Sequence, residues 1–179
     1  MPTLEIRPAT IDDAEAITDI YGHHVRHGTA SFDYEPRTLA ETIQKIQSVH
    51  SRQWPFLIAI KDSQVVGYAY ATQFRDRPAY SFACENSIYV HYNHLRQGVG
   101  KALLAELLVE AQASGFRQMI AVVGGGEPSS VALHAQLGFE HAGCMRAVGR
   151  KFGQWLDTVY LQAPLGGGDR NAPEKEPVA

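Results

Sequence analysis

The chain has 179 residues, of which 45% are hydrophobic and 20% are charged, and its formal net charge at pH 7 is −3. This length suits one domain with a sizeable core, and the small net charge excludes a strongly basic surface for DNA or RNA. The two cysteines, Cys84 and Cys144, are too few for a disulfide framework. No apolar stretch reaches the length of a membrane span, and the first seven residues lack the core of a signal peptide. We therefore expect a cytoplasmic protein that binds neither nucleic acid nor membranes.

Strand and helix patterns alternate along the chain and predict one α/β domain over residues 1–163. Thr38 is placed to cap the second helix, and Gly115 to end the third. Glycines, prolines and charged side chains dominate 164–179, so we expect a disordered C-terminal tail there. In chain order, the predicted elements are strand 4–7, helices 12–25 and 38–50, strands 56–60, 65–72 and 87–90, helix 98–114, strand 119–123, helix 129–137, and strands 140–148 and 155–161.

The turn Leu95–Gly100 joins a predicted strand directly to the start of the third helix. The first N–H groups of a helix have no partner within it, and the helix dipole favours anions there. Gly98 and Gly100 carry no side chain where a pyrophosphate would meet the backbone, while Arg96 and Lys101 add positive charge. The spacing fits neither a Walker A loop nor the dinucleotide-binding fingerprint. The turn therefore predicts an anion site, although a simple tight turn would use the same glycines.

This strand, turn and helix resemble the acetyl-CoA signature of the GNAT superfamily, Gln/Arg-x-x-Gly-x-Gly/Ala, with Leu95 at the first position. From about Ile6 to Gln162 the chain also resembles the phosphinothricin and methionine sulfoximine N-acetyltransferases of that superfamily. The resemblance implies the GNAT fold, a mixed and mostly antiparallel sheet flanked by helices, with acetyl-CoA as co-substrate. It also implies a homodimer to which 149–161 contributes. The segments that carry it are 67–71, 75–80, 85–90, 133–139 and 151–157.

The resemblance places acetyl-CoA along the strand 87–90 and on the turn that follows it. A backbone N–H of that strand would polarise the thioester carbonyl. Glu127 departs from the asparagine of many relatives, and Ser129 or Ser130 could cap the fourth helix and bind the cofactor in its place. The expected cofactor-binding residues are Ile88, Tyr89, Val90, Arg96, Gln97, Gly98, Val99, Gly100, Lys101, Glu127, Ser129 and Ser130.

Acetyl transfer to an amine needs a base for the amine proton and a proton for the leaving thiolate. The resemblance marks Glu85, at the start of the strand that leads to the turn, as the candidate base. His134 on the fourth helix could act as acid or base, because an imidazole titrates near neutral pH. The sequence leaves open which of the two takes the proton. Cys84 beside Glu85 invites a covalent route, but the resemblance implies direct attack by the amine in a ternary complex.

The acceptor that the resemblance implies is a small amino-acid-like amine, such as phosphinothricin, methionine sulfoximine or methionine sulfone. Arg75 and Arg77 are candidates for gripping its acidic group, because a guanidinium binds a carboxylate or phosphinate at two points. Phe32 and Tyr34 could wall the acceptor pocket, or could only pack the loop that carries them.

Two other functions fit the same motifs. One is acetylation of a peptide N-terminus or of lysine, which would need an open groove in place of an arginine clamp. The other is a non-catalytic CoA-binding or sensing domain, against which the presence of Glu85 and His134 argues. His23 and His27 have the helical spacing of a metal-ligand pair, but no acid or cysteine completes a site, so we expect no metal.

Overall fold

Seven strands form one sheet in the computed structural model, which describes residues 4–174 of the chain. The strands are β1 (Glu5–Pro8), β2 (Phe56–Lys61), β3 (Gln64–Gln73), β4 (Ala83–Val90), β5 (Gln118–Gly124), β6 (Glu140–Lys151) and β7 (Gln154–Pro164). The helices are α1 (Ala14–His27), α2 (Leu39–Ser51), α3 (Val99–Ala113) and α4 (Pro128–Gln136). The strand order is β1-β2-β3-β4-β5-β7-β6, and every neighbouring pair is antiparallel except β4 and β5. The predicted mixed, mostly antiparallel sheet is confirmed.

Helices α1 and α2 cover one face of the sheet. Each presents an apolar stripe at helical spacing, and these stripes pack on the aromatic and aliphatic side chains of β2 and β3. Thr38 caps α2 as expected, since its Oγ1 accepts from the N–H of Glu41 at 3.2 Å. The buried residues of this cluster include Ile17, Ile20, Val25, Ile46, Val49, Phe56, Ile58, Tyr68 and Tyr70.

Helices α3 and α4 cover the opposite face. Leu103, Leu104, Leu107 and Ala111 of α3 are completely buried against the small residues of β2 and β3. Because successive side chains of a strand point to opposite faces, β4 contributes Cys84 to this cluster and Tyr89 to the cluster under α1 and α2.

The two parallel strands separate halfway along their length. Pairing between β4 and β5 runs from Ala83 opposite Gln118 to Asn86 opposite Ala121. Beyond that point β4 stays paired with β3 up to Val90, while β5 stays paired with β7. The sheet is therefore open between the carboxyl-terminal halves of β4 and β5.

The segment after Pro164 departs from the predicted disordered tail. Leu165 is 3% exposed, and its N–H donates to the carbonyl of Arg117 at 2.9 Å. The guanidinium of Arg117 in turn donates to the carbonyls of Gly168 at 3.0 Å and Asn171 at 2.7 Å. A buried leucine and one arginine thus hold a segment whose composition alone indicates disorder. The remainder of the predicted tail, 175–179, and the first three residues considered for a signal peptide lie outside the described residues.

Within 4–174, no helix combines the length and apolar character needed to cross a membrane. The same part of the chain contains no group of three His, Cys, Asp or Glu side chains that could hold a metal ion. The rings of His23 and His27 lie 4.6 Å apart, and His23 also stacks on Tyr92.

Candidate active site

A cavity of about 240 Å³ lies where β4 and β5 separate. Glu85 reaches it from the α1/α2 face of the sheet, because it has the same strand parity as Tyr89. His134 reaches it from α4 on the opposite face. The gap between the strands thus joins both faces, and both predicted catalytic residues line one cavity. The lining is Ala30, Ser31, Phe32, Glu85, Asn86, Ser87, Ile88, Tyr89, Ala121, Val122, Val123, Gly124, Ser130, His134 and Thr158.

Glu85 is a partly buried carboxylate with basic side chains nearby. Burial raises its pKa above the ordinary value for glutamate, because desolvation disfavours the charged form. The positive charges of Arg75 and Lys45 oppose this shift but do not cancel it. A carboxylate in such a place is a stronger base than one in water.

His134 is almost completely buried, with 2% of its surface exposed. Its Nδ1 lies 2.7 Å from the carbonyl oxygen of Ser130, and its Nε2 lies 3.1 Å from Oδ1 of Asn86. Burial lowers the pKa of this imidazole, and the bond to Ser130 opposes the shift. Both ring nitrogens have hydrogen-bond partners, which hold the ring in one orientation.

The N-terminus of α3 has the geometry of an anion site. Gly98 adopts φ +83°, in the left-handed region, and a Cβ there would meet nothing within 4 Å. The first helical bond runs from the N–H of Ala102 to the carbonyl of Gly98 at 3.0 Å. The amides of Val99, Gly100 and Lys101 precede it and have no carbonyl partner within the helix. Open space, free amides and the helix dipole together fit a pyrophosphate group.

Three residues of this turn have packing or side-chain contacts that the sequence did not predict. A Cβ on Gly100 would lie 3.3 Å from Leu133 and 3.5 Å from Val90, so this glycine permits close packing of α3 against α4 and β4. The side chain of Val99 is buried in the core. The side-chain oxygen of Gln97 accepts from Nζ of Lys61 at 2.8 Å. Only the backbone of these residues, together with exposed Arg96 and Lys101, faces the anion site.

Along β4, the backbone N–H and C=O groups of successive residues point alternately to β3 and to the gap, so the residue number decides which groups face the gap. Ala83 and His91 bond to β3, so residues of odd number direct their N–H and C=O groups to that strand. Ile88 therefore turns its N–H and C=O toward the gap, whereas Tyr89 does not. The carbonyl of Val90 is already 2.8 Å from Nε2 of His24. Val90 also directs its N–H toward the gap but does not line the cavity, so of the three predicted residues Ile88 best fits the role of polarising a thioester carbonyl.

The N-terminus of α4 is capped by Glu127, not by the serines. Its carboxylate accepts from the N–H of Ser129 at 3.3 Å and of Ser130 at 2.9 Å. Although partial burial works in the opposite direction, these hydrogen bonds hold the pKa of Glu127 below its usual value. The capping role expected for Ser129 or Ser130 is wrong, because a carboxylate two residues earlier reaches the same amides. Ser130 still lines the cavity.

Phe32 forms a wall of the cavity, but Tyr34 does not. The Phe32 ring lies in a notch between β5 and β6, where a Cβ on Gly149 would fall 2.2 Å and one on Gly124 2.9 Å from ring carbons. The ring of Tyr34 is 69% exposed, and its hydroxyl donates to the carbonyl of Arg150. Tyr34 therefore anchors the connection between α1 and α2.

Arg75 and Arg77 line a second, more open cavity together with Asp76 and Tyr80. This cavity lies apart from the first, although the charge of Arg75 acts on Glu85. An acidic group held here would lie on the Glu85 side of the sheet. The predicted role of Arg75 and Arg77 in binding an acceptor stays a prediction.

Two polar residues at the site were not predicted from the sequence. Nζ of buried Lys151 donates to the carbonyls of Gly28 at 3.0 Å and Ser31 at 2.7 Å, which fixes the connection that carries Phe32. Asn86 contacts His134 at the end of the β4–β5 pairing. From strand alternation, Lys151 could have been assigned to the same face as Gly149, and Asn86 to the face opposite Glu85. The groups that these two side chains contact could not have been predicted in this way.

The fold and the site are those of an acyltransferase. Their defining feature is a parallel strand pair that opens beside a helix N-terminus with the geometry of an anion site. Residues 6–160 match the acetyltransferase (GNAT) domain, and the chain belongs to this family. The family resemblance read from the motifs is thereby confirmed.

Similar proteins include two bacterial acetyltransferases. Phosphinothricin N-acetyltransferase from Alcaligenes faecalis is 45% identical over 94% of this chain and 86% of its own length. The L-methionine sulfoximine/L-methionine sulfone acetyltransferase of Salmonella typhimurium is 35% identical over 90% of this chain and 95% of its own. A crystal structure of a phosphinothricin acetyltransferase from Sinorhizobium meliloti in complex with acetyl-CoA has a TM-score of 0.95 and 44% identity, covering 97% of this chain and 94% of that one.

Proposed function

We propose that this chain transfers the acetyl group of acetyl-CoA to the amine of a small amino-acid-like acceptor, of the phosphinothricin, methionine sulfoximine or methionine sulfone type. The observation that carries the proposal is the single cavity at the opening of β4 and β5, which Glu85 enters from one face and His134 from the other. The names of the similar proteins support the acceptor class.

The chain offers acetyl-CoA three kinds of contact. Free amides at the start of α3, with Arg96 beside them, suit its pyrophosphate. The backbone of Ile88 lines the gap between β4 and β5, where a pantetheine arm would add to the edge of β4. When bound, acetyl-CoA supplies the acetyl group as a thioester, and the N–H of Ile88 is placed to stabilise the oxyanion that forms from it.

Glu85 is the base in this proposal. The acceptor nitrogen bonds to the acetyl carbon, the carbon–sulfur bond breaks, Glu85 takes one proton from the nitrogen, and the sulfur gains one proton. The raised pKa of Glu85 and its place on the acceptor side of the gap support this assignment. His134 is disfavoured as the base because burial lowers the pKa of its ring, which makes the ring a weaker proton acceptor.

Transfer is direct, without an acetylated enzyme. Cys84, the candidate for a covalent route, is completely buried on the face away from Glu85, and burial raises the pKa of its thiol to about 12. A thiol of that kind is not a nucleophile at neutral pH. Intersecting initial-velocity lines are expected. Parallel lines, or an acetyl adduct on Cys84 in mass spectrometry, would overturn direct transfer.

Thiol release from acetyl-CoA, measured with a panel of amines, tests the function. We expect turnover with methionine sulfoximine, methionine sulfone or phosphinothricin, and little with peptides that have a free N-terminus. Turnover with peptides alone would favour the peptide or lysine alternative. Tight CoA binding in calorimetry without turnover on any amine would favour a sensing domain.

Arg75→Gln and Arg77→Gln should raise KM for an acidic acceptor more than KM for acetyl-CoA.

A homodimer is part of the proposal, because β6 and β7 leave apolar side chains exposed. Met145 is 44%, Val148 52%, Phe152 56% and Trp155 65% exposed. Isolated groups of this size are ordinary, but a shared patch on two neighbouring strands is typical of an interface. Light scattering should give twice the mass of the chain, and Trp155→Asp should give the single mass. A wild-type monomer at micromolar concentration would contradict the dimer.

A cytoplasmic location completes the proposal. Both cysteines are unpaired, Cys84 in the core and Cys144 at the surface, which suits a reducing compartment. Fractionation of cells that produce the chain tests this location, and recovery of the chain outside the cytoplasm would contradict it.

A further inference from the structure

Asn86 occupies the point where β4 and β5 part. It is the last residue of β4 paired with β5, and its side chain is 7% exposed. Its Oδ1 lies 3.1 Å from Nε2 of His134, and its Nδ2 makes a long 3.5 Å contact with the carbonyl oxygen of Ile120. One amide thus bridges the catalytic candidate on α4 and the backbone of β5.

The hydrogen-bond donors and acceptors around His134 determine where its protons lie. The carbonyl of Ser130 can only accept, so Nδ1 must carry a proton. Oδ1 of Asn86 also only accepts, so the bond at Nε2 needs a second proton on the ring. If Nε2 loses that proton, the Asn86 amide must turn over to donate to it. Its oxygen would then face the carbonyl oxygen of Ile120, and two acceptors repel each other.

We propose that Asn86 is a positioning residue that holds the His134 ring at the strand opening and favours a proton on its Nε2 atom. The inferred purpose of this arrangement rests on the proposed acetyl transfer: His134 then serves as a proton donor, and Glu85 as the base. The proton on Nε2 passes to the sulfur of the leaving thiolate, and the ring becomes neutral with its remaining proton on Nδ1. The Asn86 amide turns as that proton leaves.

Among residues 4–174, no charged side chain bonds to the His134 ring or contributes to the shift of its pKa. His134 contacts the Asn86 amide of β4 and the carbonyl of Ser130 in its own helix, and the centroid of its ring lies 4.9 Å from that of Phe139. The carbonyl of Ile120 in β5 contacts the Asn86 amide. None of these groups titrates. Glu85, although next to Asn86 in the chain, points to the opposite face of the sheet.

The test is ¹⁵N NMR of the free enzyme labelled at histidine, with His134→Gln used to assign the His134 signals. In the wild type, Nδ1 should stay protonated through the titration, and Nε2 should be the nitrogen that loses its proton. Asn86→Leu removes the acceptor and should lower the pKa of His134 by about one unit or more, as expected for a lost charge-assisted hydrogen bond. Asn86→Asp should raise it. Gln136→Leu, an exposed change on α4, should leave it unaltered.

An unchanged His134 titration in Asn86→Leu would overturn the proposal, as would a wild-type ring that keeps its proton on Nε2 when neutral. If Asn86→Leu fails to fold, Asn86→Asp decides alone, because an unmoved or lowered pKa there contradicts the same idea.

Kinetics supply a second readout. A proton donor acts when protonated, so the rate falls as pH rises through its pKa. Asn86→Leu should therefore move the alkaline limb of kcat to lower pH while changing KM for acetyl-CoA little. An unmoved alkaline limb with a lowered pKa of His134 would separate Asn86 from the proton donor and overturn the inferred purpose. Absence of turnover in the wild type would defeat the proposed function, yet the NMR result would still decide the Asn86–His134 link.

Discussion

Burial distinguishes Glu85 from the acidic side chains on the surface of the chain. Its charge is unfavourable to the fold and useful to the reaction, because the same desolvation that raises its pKa makes it a better proton acceptor. The positive charges of Arg75 and Lys45 oppose the shift and favour the ionised carboxylate. Activity and stability should therefore respond to this side chain in opposite directions.

Glu85→Gln should lower kcat by about 10²-fold or more, since general-base catalysis is worth that much. The dissociation constant of acetyl-CoA should change little, and calorimetry can check it. In the wild type, kcat should fall as pH drops through the raised pKa of Glu85, and this acid limb should vanish in the variant. Glu110→Gln, an equal charge change on the exposed face of α3, is the control. A variant with wild-type kcat across the pH range would exclude Glu85 as the base.

The stability of Glu85→Gln follows from the same shift. A carboxyl whose folded-state pKa is raised stabilises the fold while protonated, and this stabilisation is lost as pH rises through that pKa. Near neutral pH the variant should therefore unfold at a higher urea concentration than the wild type, whereas at low pH the two should converge. A variant that is less stable at neutral pH would show that Glu85 makes favourable contacts when charged.

Gly149 sets the position of the acceptor-side wall. Gly149→Ala would place a Cβ 2.2 Å from the Phe32 ring, so the ring must move. Overpacking of this kind costs about 1–3 kcal/mol. We expect a raised KM for the acceptor and a smaller change for acetyl-CoA. Gly143→Ala is the matched control in the same strand, because a Cβ there meets nothing within 4 Å. Equal kinetics in the two variants would show that Phe32 does not shape the acceptor site.

At the scale of whole elements, α3 joins the core to the anion site. Its buried stripe fixes its position on the sheet, while Gly98 turns the chain so that the first amides point outward. Glycine is needed at Gly98 for its backbone conformation, and Gly100 is needed for packing against α4. The anion site is thus a consequence of how α3 begins and is not carried by any one side chain.

Gly98→Ala tests this account, with Gly115→Ala as its control at the other end of α3. Both glycines have positive φ, +83° and +95°, and a Cβ on either meets nothing within 4 Å. Each substitution should cost about 1–2 kcal/mol of unfolding free energy, the usual cost of left-handed backbone for an L residue. Only Gly98→Ala should also raise the dissociation constant of CoA. If both variants bind CoA equally well, the backbone of this turn does not hold the phosphates.

Elements with a strong period could be predicted from the sequence, and contacts between distant segments could not. The apolar stripe of α3 and the Thr38 cap fixed two helices to within a residue or two, because both signals are local. The carboxylate of Glu127 folds back on its own helix and accepts from an amide at the start of α4. This contact could not be predicted from the sequence. Gly100 could be matched to a phosphate motif, but its contact with Leu133 depends on how two helices cross.

At the scale of the molecule, the site is a consequence of sheet topology. One parallel pair in an otherwise antiparallel sheet leaves β4 and β5 free to diverge, and the gap lets two layers of helices contribute to one cavity. In the proposed function, acetyl-CoA binds from the α3/α4 layer and the acceptor from the α1/α2 layer. Catalysis at the gap needs both helix layers to keep fixed positions relative to the gap. Strand β7 holds β5 in place by pairing with it along its length.

The segment after β7 should therefore count as part of the domain. Leu165 is 3% exposed in the core cluster under α3, so Leu165→Ala should cost about 2–5 kcal/mol, as for other buried leucines. Leu39→Ala, at a leucine that is 47% exposed, should change stability by less than about 0.5 kcal/mol. Urea unfolding monitored by circular dichroism gives both values. A Leu165→Ala variant as stable as the wild type would show that this segment does not contribute to the stability of the domain. A large loss, with kcat retained at low temperature, would show that it supports the sheet without taking part in the chemistry.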